Sequence, residues 1–379
     1  MEKRLKISIF AVFLMIFSGF YAYLSTFQYE NKSQQGFITN LQATSLPPTK
    51  YYNQYKYTGD IPHFFTHEMI IQPQKAFSQN NSLKKHYDKD CITSAEFWNF
   101  LTQLYNNNYC LIDIYDLVGF KNGVPYIKDV YLPFTKKPFL LSFDDMSYDT
   151  RDRGLADKIM IDGNGEICSY TKNSDTQIEY DKESICLLEN FIKLHPDFSH
   201  NNARAIICPT GYNGLFGYRI TSNYIDNKKE IENLLPLVNK LKKLNYHFAC
   251  HTYNHINVKA IKDEDLKNDL SLYKDKILSV IGDTNIFCFP CGNFVNNGQK
   301  LKTLKSFGYK IFLCVGQNQN IKTCNDCIFL GRKTLDGNSL RNFHNIYIDY
   351  FDTYEMYDNE QRYIKINKKN SSAGKKVNA

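Results

Sequence analysis

Two carboxylates and two histidines have the residue types and spacing of a metal-assisted hydrolytic site. Asp144 and Asp145 follow an apolar run at residues 139–143, and His251 and His255 stand four residues apart further along the chain. Two imidazoles and one carboxylate are a common ligand set for a divalent cation, and they leave a coordination position open for water. The second carboxylate then remains free to take a proton from that water.

Neither pair of residues is decisive alone. Two aspartates after a strand are more often a solvated turn or a helix cap, and a pair of histidines at this spacing is as often a surface feature as a site. We expect the histidine pair to lie in a helical turn, which would place both rings on one face. Zinc is the expected metal, although Co²⁺, Ni²⁺ and Fe²⁺ accept the same ligands.

The elements that must position these side chains alternate between strands and helices. Apolar runs predict strands at 139–143, 205–208, 246–250, 286–289 and 309–313, and amphipathic stretches predict helices around 185–194, 231–244, 266–280 and 301–306. Such alternation indicates a parallel sheet, best arranged as a barrel or partial barrel. The catalytic face of a barrel lies where its strands end, which is where the aspartate and histidine pairs stand.

Shorter patterns add three elements outside this series. Thr93 and Glu96 form a capping-box pattern, which predicts a helix start. A strand is expected at residues 109–112, and Asp162-Gly163 predicts a hairpin turn. That hairpin could wall a substrate groove or simply decorate the surface.

Together the motifs resemble those of the polysaccharide deacetylases, the NodB-like carbohydrate esterase family 4. Ser142-Phe143-Asp144-Asp145 matches the first family motif, a strand ending in [TS]-F-D-D, and residues 251–255 match H-[ST]-x-x-H at all three fixed positions. The resemblance implies a distorted (β/α)₇ barrel and hydrolysis of N-acetyl groups on an amino-sugar polymer. It implies Asp144 as the catalytic base and Asp145, His251 and His255 as the metal ligands.

Other features of the family are less complete here. The stretch 287–292 resembles the third motif in the form that ends in Pro-x-Gly, which implies that Pro290 and Gly292 line the substrate groove. Many members carry an arginine that orients the base, at the position where this chain has Cys288. The family implies an oxyanion donor in the backbone near Tyr253 or in the third motif. His344 is the nearest candidate for the general acid.

The resemblance covers residues 61–350 and leaves two other functions open. A carbohydrate-binding or scaffolding protein with lost turnover would explain the missing arginine, but it gives no reason to keep both aspartates. A glycoside hydrolase needs two acids about 5–9.5 Å apart across a sugar, which sequence neighbours rarely provide. The polymer itself is open among peptidoglycan GlcNAc, peptidoglycan MurNAc, poly-GlcNAc and chitin fragments.

The chain begins with a basic and then apolar segment. Lys3, Arg4 and Lys6 precede an apolar run at residues 7–24, long enough to cross a bilayer core or to form a signal peptide. The expected organisation is a transmembrane anchor or signal at 1–24, a linker at 25–60, the deacetylase domain at 61–350 and a C-terminal extension at 351–379 with a basic, disordered end. The positive-inside tendency places the domain outside the cell membrane, or secretes it if the segment is cleaved.

Composition narrows the remaining function classes. With 43% hydrophobic residues the chain can bury a core, and a net charge of +7 without a basic aromatic face gives no indication of nucleic-acid binding. Among the eleven cysteines, two pairs have the spacing CxxC: Cys288 with Cys291 and Cys324 with Cys327. A structural zinc site, disulfides and buried free thiols all remain open for them.

Overall fold

The computed structural model describes residues 54–149, 153–172, 177–221, 227–316 and 321–366. The predicted anchor or signal at 1–24, the linker up to residue 53 and the basic tail from residue 367 lie outside these residues. Within the described part of the chain, no helix is both long enough and apolar enough to cross a bilayer.

A nearly closed parallel sheet of seven strands, counted over the described residues, forms the centre of the fold. Its strands are β1 (His63–Thr66), β2 (Lys137–Asp145), β3 (Ile206–Pro209), β4 (His247–Phe248), β5 (Ile286–Cys288), β6 (Ile311–Val315) and β7 (Cys327–Thr334). They neighbour one another in chain order, and β7 pairs with β1. A single bridge between Cys250 and Phe287 joins the edges next to β4 and β5. The expectation of an α/β barrel is confirmed.

Alternate residues of the barrel strands point into or out of the barrel, and the two sets differ in size. The interior cluster is built of aliphatic side chains and cysteine, among them Leu140, Ile206, Cys208, Ala249, Ile286, Cys288, Leu313 and Leu330. The outer face carries phenylalanines that pack under the helices, among them Phe64, Phe143, Phe248, Phe287, Phe312 and Phe329. Both faces are buried because successive side chains of a strand point to opposite sides and helices cover the outside.

Helices and short accessory strands surround the barrel. The helices are Pro73–Ala76, Lys84–Asp90, Ser94–Asn106, Ile114–Leu117, Ser184–Leu194, Asn227–Lys243, Asp263–Tyr273, Ser279–Ile281, Gly298–Ser306, Gly337–Asn342, His344–Tyr347 and Thr353–Met356. The accessory strands are Gln54–Lys56, Tyr109–Leu111, Val118–Lys121, Val124–Ile127, Tyr131–Pro133, Lys158–Ile161, Ile167–Tyr170, Ile178–Glu179 and Lys322–Cys324. The capping box of Thr93 and Glu96 is formed as predicted, and so is the hairpin around Asp162.

The folded domain continues beyond residue 350, where the predicted domain ended. Arg362 is fully buried, and its guanidinium donates to both carboxylate oxygens of Glu96 at 2.9 and 2.6 Å. It also donates to the carbonyls of Asp88 and Cys91, at 3.0 and 2.8 Å. These contacts tie residues 351–366 to the helices before β2. In the sequence these residues form a C-terminal extension outside the predicted domain 61–350, and nothing in their composition marks Arg362 as a buried cation.

Replacing Arg362 is expected to destabilise the domain strongly. Arg362→Met leaves the buried carboxylate of Glu96 without its partner, and breaking a buried ion pair in this way costs about 3 kcal/mol or more. Urea unfolding of the full chain measures the loss. Lys365→Ala is the matched control, because that exposed lysine donates only to the carbonyls of Asn359 and Glu360. Equal stability of both variants and the wild type would show that residues 351–366 do not belong to the folded unit.

Candidate active site

The two aspartates end strand β2 and point in different directions. Asp144 continues the inward-facing series of Leu140 and Ser142 and is fully buried. Asp145 has a φ of +67°, in the left-handed region, and Met146 follows with a φ of +45°. Because the backbone turns at this point, the two neighbouring carboxylates contact different partners.

Asp144 is held by an arginine that sequence reasoning missed. Arg332, near the end of β7, donates from Nη1 to Asp144 Oδ1 at 2.7 Å and from Nη2 to Oδ2 at 2.9 Å. The same guanidinium donates to Ser142 Oγ and to Cys288 Sγ, and it lies over the Phe65 ring at 4.0 Å. The arginine that the third motif lacks is therefore supplied from another strand, in a bidentate geometry that fixes the carboxylate plane.

The surroundings of Asp144 keep this carboxyl ionised. Burial raises the pKa of Asp144, but the charge of Arg332 and then that of His251 lower it by more. The pKa of Asp144 therefore lies well below its usual range. An ionised carboxylate with fixed orientation can accept a proton, which is the requirement for a general base.

The two histidines bring their Nε2 atoms to Asp145. The distances to Asp145 Oδ1 are 3.7 Å from His251 and 3.6 Å from His255. His251 donates from Nδ1 to the carbonyl of Cys288 at 3.0 Å, which leaves Nε2 as the atom facing the site. Hydrogen bonds of this kind set the tautomer of metal-binding histidines.

The segment that carries the histidines is a loop, not the predicted helical turn. Thr252 and His255 have φ values of +61° and +51°. The loop is held by Asp269 of the neighbouring helix, which accepts from the backbone N–H groups of Tyr253 at 2.7 Å and Asn254 at 2.9 Å. His251 and His255 are four residues apart, and their rings lie on the same side of this loop because two residues with left-handed backbone angles bend the chain.

Tyr253, predicted to lie near the oxyanion, is largely buried. Its side chain is 9% exposed and belongs to the core around the barrel. A Cβ on Gly211 would lie 2.3 Å from the Tyr253 ring, so only glycine allows the loop after β3 to approach this closely. The backbone N–H of Tyr253 donates to Asp269 and is therefore not available to an oxyanion, so the turn Pro290–Gly292 remains the predicted place for such a donor.

The turn Pro290–Gly292 adjoins the histidine loop. Cys291 has a φ of +58°, and its Sγ lies 3.7 Å from the carbonyl oxygen and 4.0 Å from Nδ1 of His255. Gly292 has a φ of +66° and is exposed, whereas Pro290 is buried. The exposed residues of the third motif, Cys291 and Gly292, therefore border the site.

The chemistry of the site fits a divalent cation. One ligand atom each from Asp145, His251 and His255 lies within 4.8 Å of the other two, and Asp145 Oδ1 is buried without a hydrogen-bond partner. Burial lowers the pKa of His251, but the neighbouring Cys288 and Asp144 outweigh it and raise that pKa to about 10. Such an anion-rich site attracts a cation, and a bound metal replaces the imidazole proton.

Two further groups of ligand-type side chains are less suited to a metal. Asp144, His251 and Cys288 also cluster, but Asp144 already receives two hydrogen bonds from Arg332. In the other group the two cysteines, Cys324 and Cys327, form a disulfide. Because Cys324 and Cys327 are disulfide-bonded, they are not available as thiolate ligands, which contradicts a structural zinc site built from both CxxC pairs. Cys288 and Cys291 are free thiols.

One histidine near the site was not predicted, and the predicted one lies elsewhere. His67 directly follows β1, one residue beyond the pairing of Thr66 with Phe143, and it interacts electrostatically with both Asp144 and His255. His344, the sequence candidate for the acid, stacks on Tyr354 and bonds Thr353 Oγ1 at 2.9 Å. No contact of His344 within the described residues is with a site residue. The sequence feature that could have identified His67 as a site residue is its position directly after an apolar strand.

Comparison with known proteins supports the resemblance. The family model described as polysaccharide deacetylase matches residues 215–312, which include His251, His255 and the third motif. No curated protein sequence matches the chain.

Two solved structures align with about three quarters of this chain. The Streptococcus pyogenes deacetylase PplD in complex with acetate is 16% identical, with a TM-score of 0.42 over 74% of this chain and 95% of that one. A de-N-acetylase from Aggregatibacter actinomycetemcomitans is 17% identical, with a TM-score of 0.43 over 74% of this chain and 96% of that one. At these values neither similarity assigns an activity to this chain.

Proposed function

We propose that this chain is a metal-dependent N-deacetylase of an amino-sugar polysaccharide. The observation that supports the proposal most strongly is that two neighbouring carboxylates have different partners. Asp144 is held ionised by Arg332, and Asp145 presents an unpartnered buried oxygen between two imidazole nitrogens. The match of residues 215–312 to polysaccharide deacetylases supports the choice of an acetamide as the bond that is cleaved.

Asp145, His251 and His255 are the residues that would hold the cation. A divalent ion bound there, with Zn²⁺ as the first candidate and Co²⁺, Ni²⁺ or Fe²⁺ as others, acidifies water and polarises an amide carbonyl. Asp144 accepts the proton of the attacking water. Arg332 keeps the Asp144 carboxylate in one orientation throughout, since both of its oxygens are bonded. The products are acetate and a free amine on the sugar.

We assign the proton that the leaving amine needs to His67. Its Nδ1 donates to the carbonyl of Asp90 at 3.1 Å, which leaves Nε2 as the atom that can carry a mobile proton. The position of His67 after β1 places it beside the end of β2, where Asp144 stands. Base and acid thus come from adjacent strands of the barrel.

Replacing His67 is expected to lower kcat by about 10²-fold, the low end of a general acid contribution, without loss of metal. His67→Gln keeps an amide that can still donate to Asp90. His344→Gln is the matched control and should leave kcat unchanged, because His344 contacts no described site residue. The measurements are the steady-state kinetics and the metal content of both variants. A larger loss in His344→Gln than in His67→Gln would contradict the assignment.

The ligand set predicts one divalent metal per chain. His255→Ala should weaken metal binding by more than about 100-fold, since even outer-shell partners of metal ligands contribute about 10–100-fold. Elemental analysis after gel filtration is the measurement, with His86→Ala as control because His86 lies on an exposed helix face. Full metal content in His255→Ala would place the metal elsewhere.

The binding-only alternative is favoured by the missing arginine and by the lack of a clear general acid. Arg332, bonded to Asp144 from β7, and His67 are the residues that we propose for these two roles, which argues against that alternative. Two acids of a glycosidase would also need a separation across the sugar that sequence neighbours rarely provide, and Asp145 instead faces two imidazoles.

The substrate class is tested by acetate release from a panel of polymers. Peptidoglycan, poly-GlcNAc and chitin fragments are incubated with the full chain and zinc, and acetate and new free amines are both measured. N-deacetylation releases one amine for each acetate. Acetate without amines would show ester hydrolysis instead. We further propose that the chain acts outside the cell membrane, held by residues 1–24, because the basic residues precede the apolar run.

A further inference from the structure

The end of the barrel opposite the candidate active site carries a group of exposed apolar and aromatic side chains. We call this end the N-terminal face and define it by two ribbons, Gln54–Lys56 with Tyr131–Pro133 and Val118–Lys121 with Val124–Ile127. Six of the exposed large side chains of the described residues lie on it or next to it: Tyr55, Phe120, Val124, Tyr126, Tyr131 and Phe134. Phe134 is 70% exposed, and its ring contacts that of Tyr55.

Hydrogen bonds and packing fix the position of this face at the starting ends of the barrel strands. Lys310, directly before β6, donates to the carbonyl of Gly123 at the tip of one ribbon. Tyr115 donates to Asn285, directly before β5, and Ile127 packs against the barrel interior. The aspartates and histidines follow the other ends of the strands, so the two surfaces lie at opposite ends of the barrel.

A cavity of about 600 Å³ opens at the same end. Tyr115, His247, Phe248, Leu278 and Phe307 supply its apolar and aromatic lining. Lys242 and Lys274 are exposed at it, and neither makes an ion pair with a described residue, while Asp283 is the one acidic residue of the lining. The two lysines give the opening a positive character that suits a phosphate group.

Residues 1–53 connect to the described chain at this face. Gln54 begins the first ribbon, and residues 1–53 precede it in the sequence. They include the apolar run 7–24, flanked by Lys3, Arg4 and Lys6, which is long enough to cross a bilayer. A membrane anchor in this segment would therefore tether the same end of the barrel that exposes the tyrosines and the side chains of Lys242 and Lys274.

We propose that the N-terminal face docks on a lipid surface that contains anionic phospholipid. Tyrosine rings favour the boundary between headgroups and hydrocarbon, where the apolar body and the hydroxyl are both satisfied. Lys242 and Lys274 contact lipid phosphates, and a tether makes even a weak contact effective by raising its local concentration. Docking turns the active site away from the bilayer, towards a polymer outside it. This proposal does not depend on the deacetylase reaction.

The test uses the full chain reconstituted in vesicles of phosphatidylcholine and phosphatidylglycerol that contain brominated lipids. Tyr126→Trp places a fluorescent reporter on the N-terminal face, and Tyr212→Trp places one at the opposite end, after β3. The native Trp98 is present in both variants, so its contribution cancels in the comparison. The proposal expects severalfold stronger bromolipid quenching and a blue shift for Tyr126→Trp only, with Tyr131→Trp as a second reporter on the same face.

The lysines are tested in the same vesicles. Lys242→Glu combined with Lys274→Glu should reduce quenching of the Tyr126→Trp reporter, and so should high salt or vesicles of phosphatidylcholine alone. Thermal unfolding confirms that each variant is folded. Equal quenching of the two reporters would overturn the proposal. A blue shift at position 126 that needs no lipid would also overturn it, because a second protein surface would then cover the face.

Discussion

Asp144→Asn is expected to abolish most of the deacetylase activity and to leave the metal in place. The substitution removes the base but none of the three ligands, so the rate should fall by about 10²–10⁴-fold, the range of general-base contributions. The physical basis is the geometry of the site, in which Asp144 is bonded to Arg332 and Asp145 lies between the imidazoles. Acetate release and bound metal are measured on the same preparation.

Asp145→Asn is the matched variant, one residue away. It exchanges an anionic ligand for a neutral one, so metal content and activity should fall together, and added zinc should restore part of the activity. Asp144→Asn leaves the buried Arg332 without its charge partner, and for that reason both variants are assayed at a temperature at which unfolding curves show them folded. Equal metal loss in the two variants would remove Asp144 from the role of base.

Arg332→Gln is expected to have the second largest effect, on both activity and stability. A carboxylate that loses its bidentate partner is no longer fixed, and a displacement of about 1 Å can cost about 10²-fold in rate. Arg332→Lys keeps the charge without the fork geometry and should lie between Arg332→Gln and the wild type. Lys322→Gln, on an exposed accessory strand, is the control for loss of a cation near the end of the chain.

The pH dependence separates a positioning role of Arg332 from a purely structural one. Arg332 lowers the pKa of Asp144, so its removal raises that pKa. Because the base must be ionised, the acid limb of the activity profile should move to higher pH in Arg332→Gln. The stability gained from the depressed pKa exists above the ordinary carboxyl pKa and is lost as pH falls. An unchanged acid limb with reduced stability would show that Arg332 supports the fold alone.

A double-variant cycle checks the source of the destabilisation. Arg332→Gln leaves Asp144 as a buried, uncompensated charge, which costs about 3–5 kcal/mol. In the Asp144→Asn background no carboxylate is stranded, so the same arginine substitution should cost less. Additive costs in urea unfolding would indicate that the two side chains are not coupled.

The parts of the site that lie in contiguous motifs could be predicted from the sequence. The aspartates follow an apolar run, and the histidines follow another, so their shared position at the ends of parallel strands results from the alternation of strands and helices. The structure brings these four side chains together. The role of each of them remains a prediction until the variants are measured.

The residues that were missed reach the site through barrel closure. Arg332 comes from β7 and His67 follows β1, and the neighbours of these two strands in the sheet are set by long-range pairing rather than by local pattern. The histidine loop was misassigned because a spacing of four is shared by a helical turn and by a loop with two left-handed residues. Residues 351–366 lie outside the predicted domain because the partner of their buried cation, Arg362, is far away in the sequence, in the helix Ser94–Asn106.

The most direct test of the central claim is the metal dependence of acetate release. The full chain is stripped with a chelator, assayed on an N-acetylated amino-sugar polymer, and assayed again after one equivalent of zinc is restored. A metal-dependent N-deacetylase loses activity on stripping and regains it with zinc, releasing one free amine for each acetate. Full activity of the stripped protein, or no acetate from any polymer of the panel with zinc bound, would contradict it.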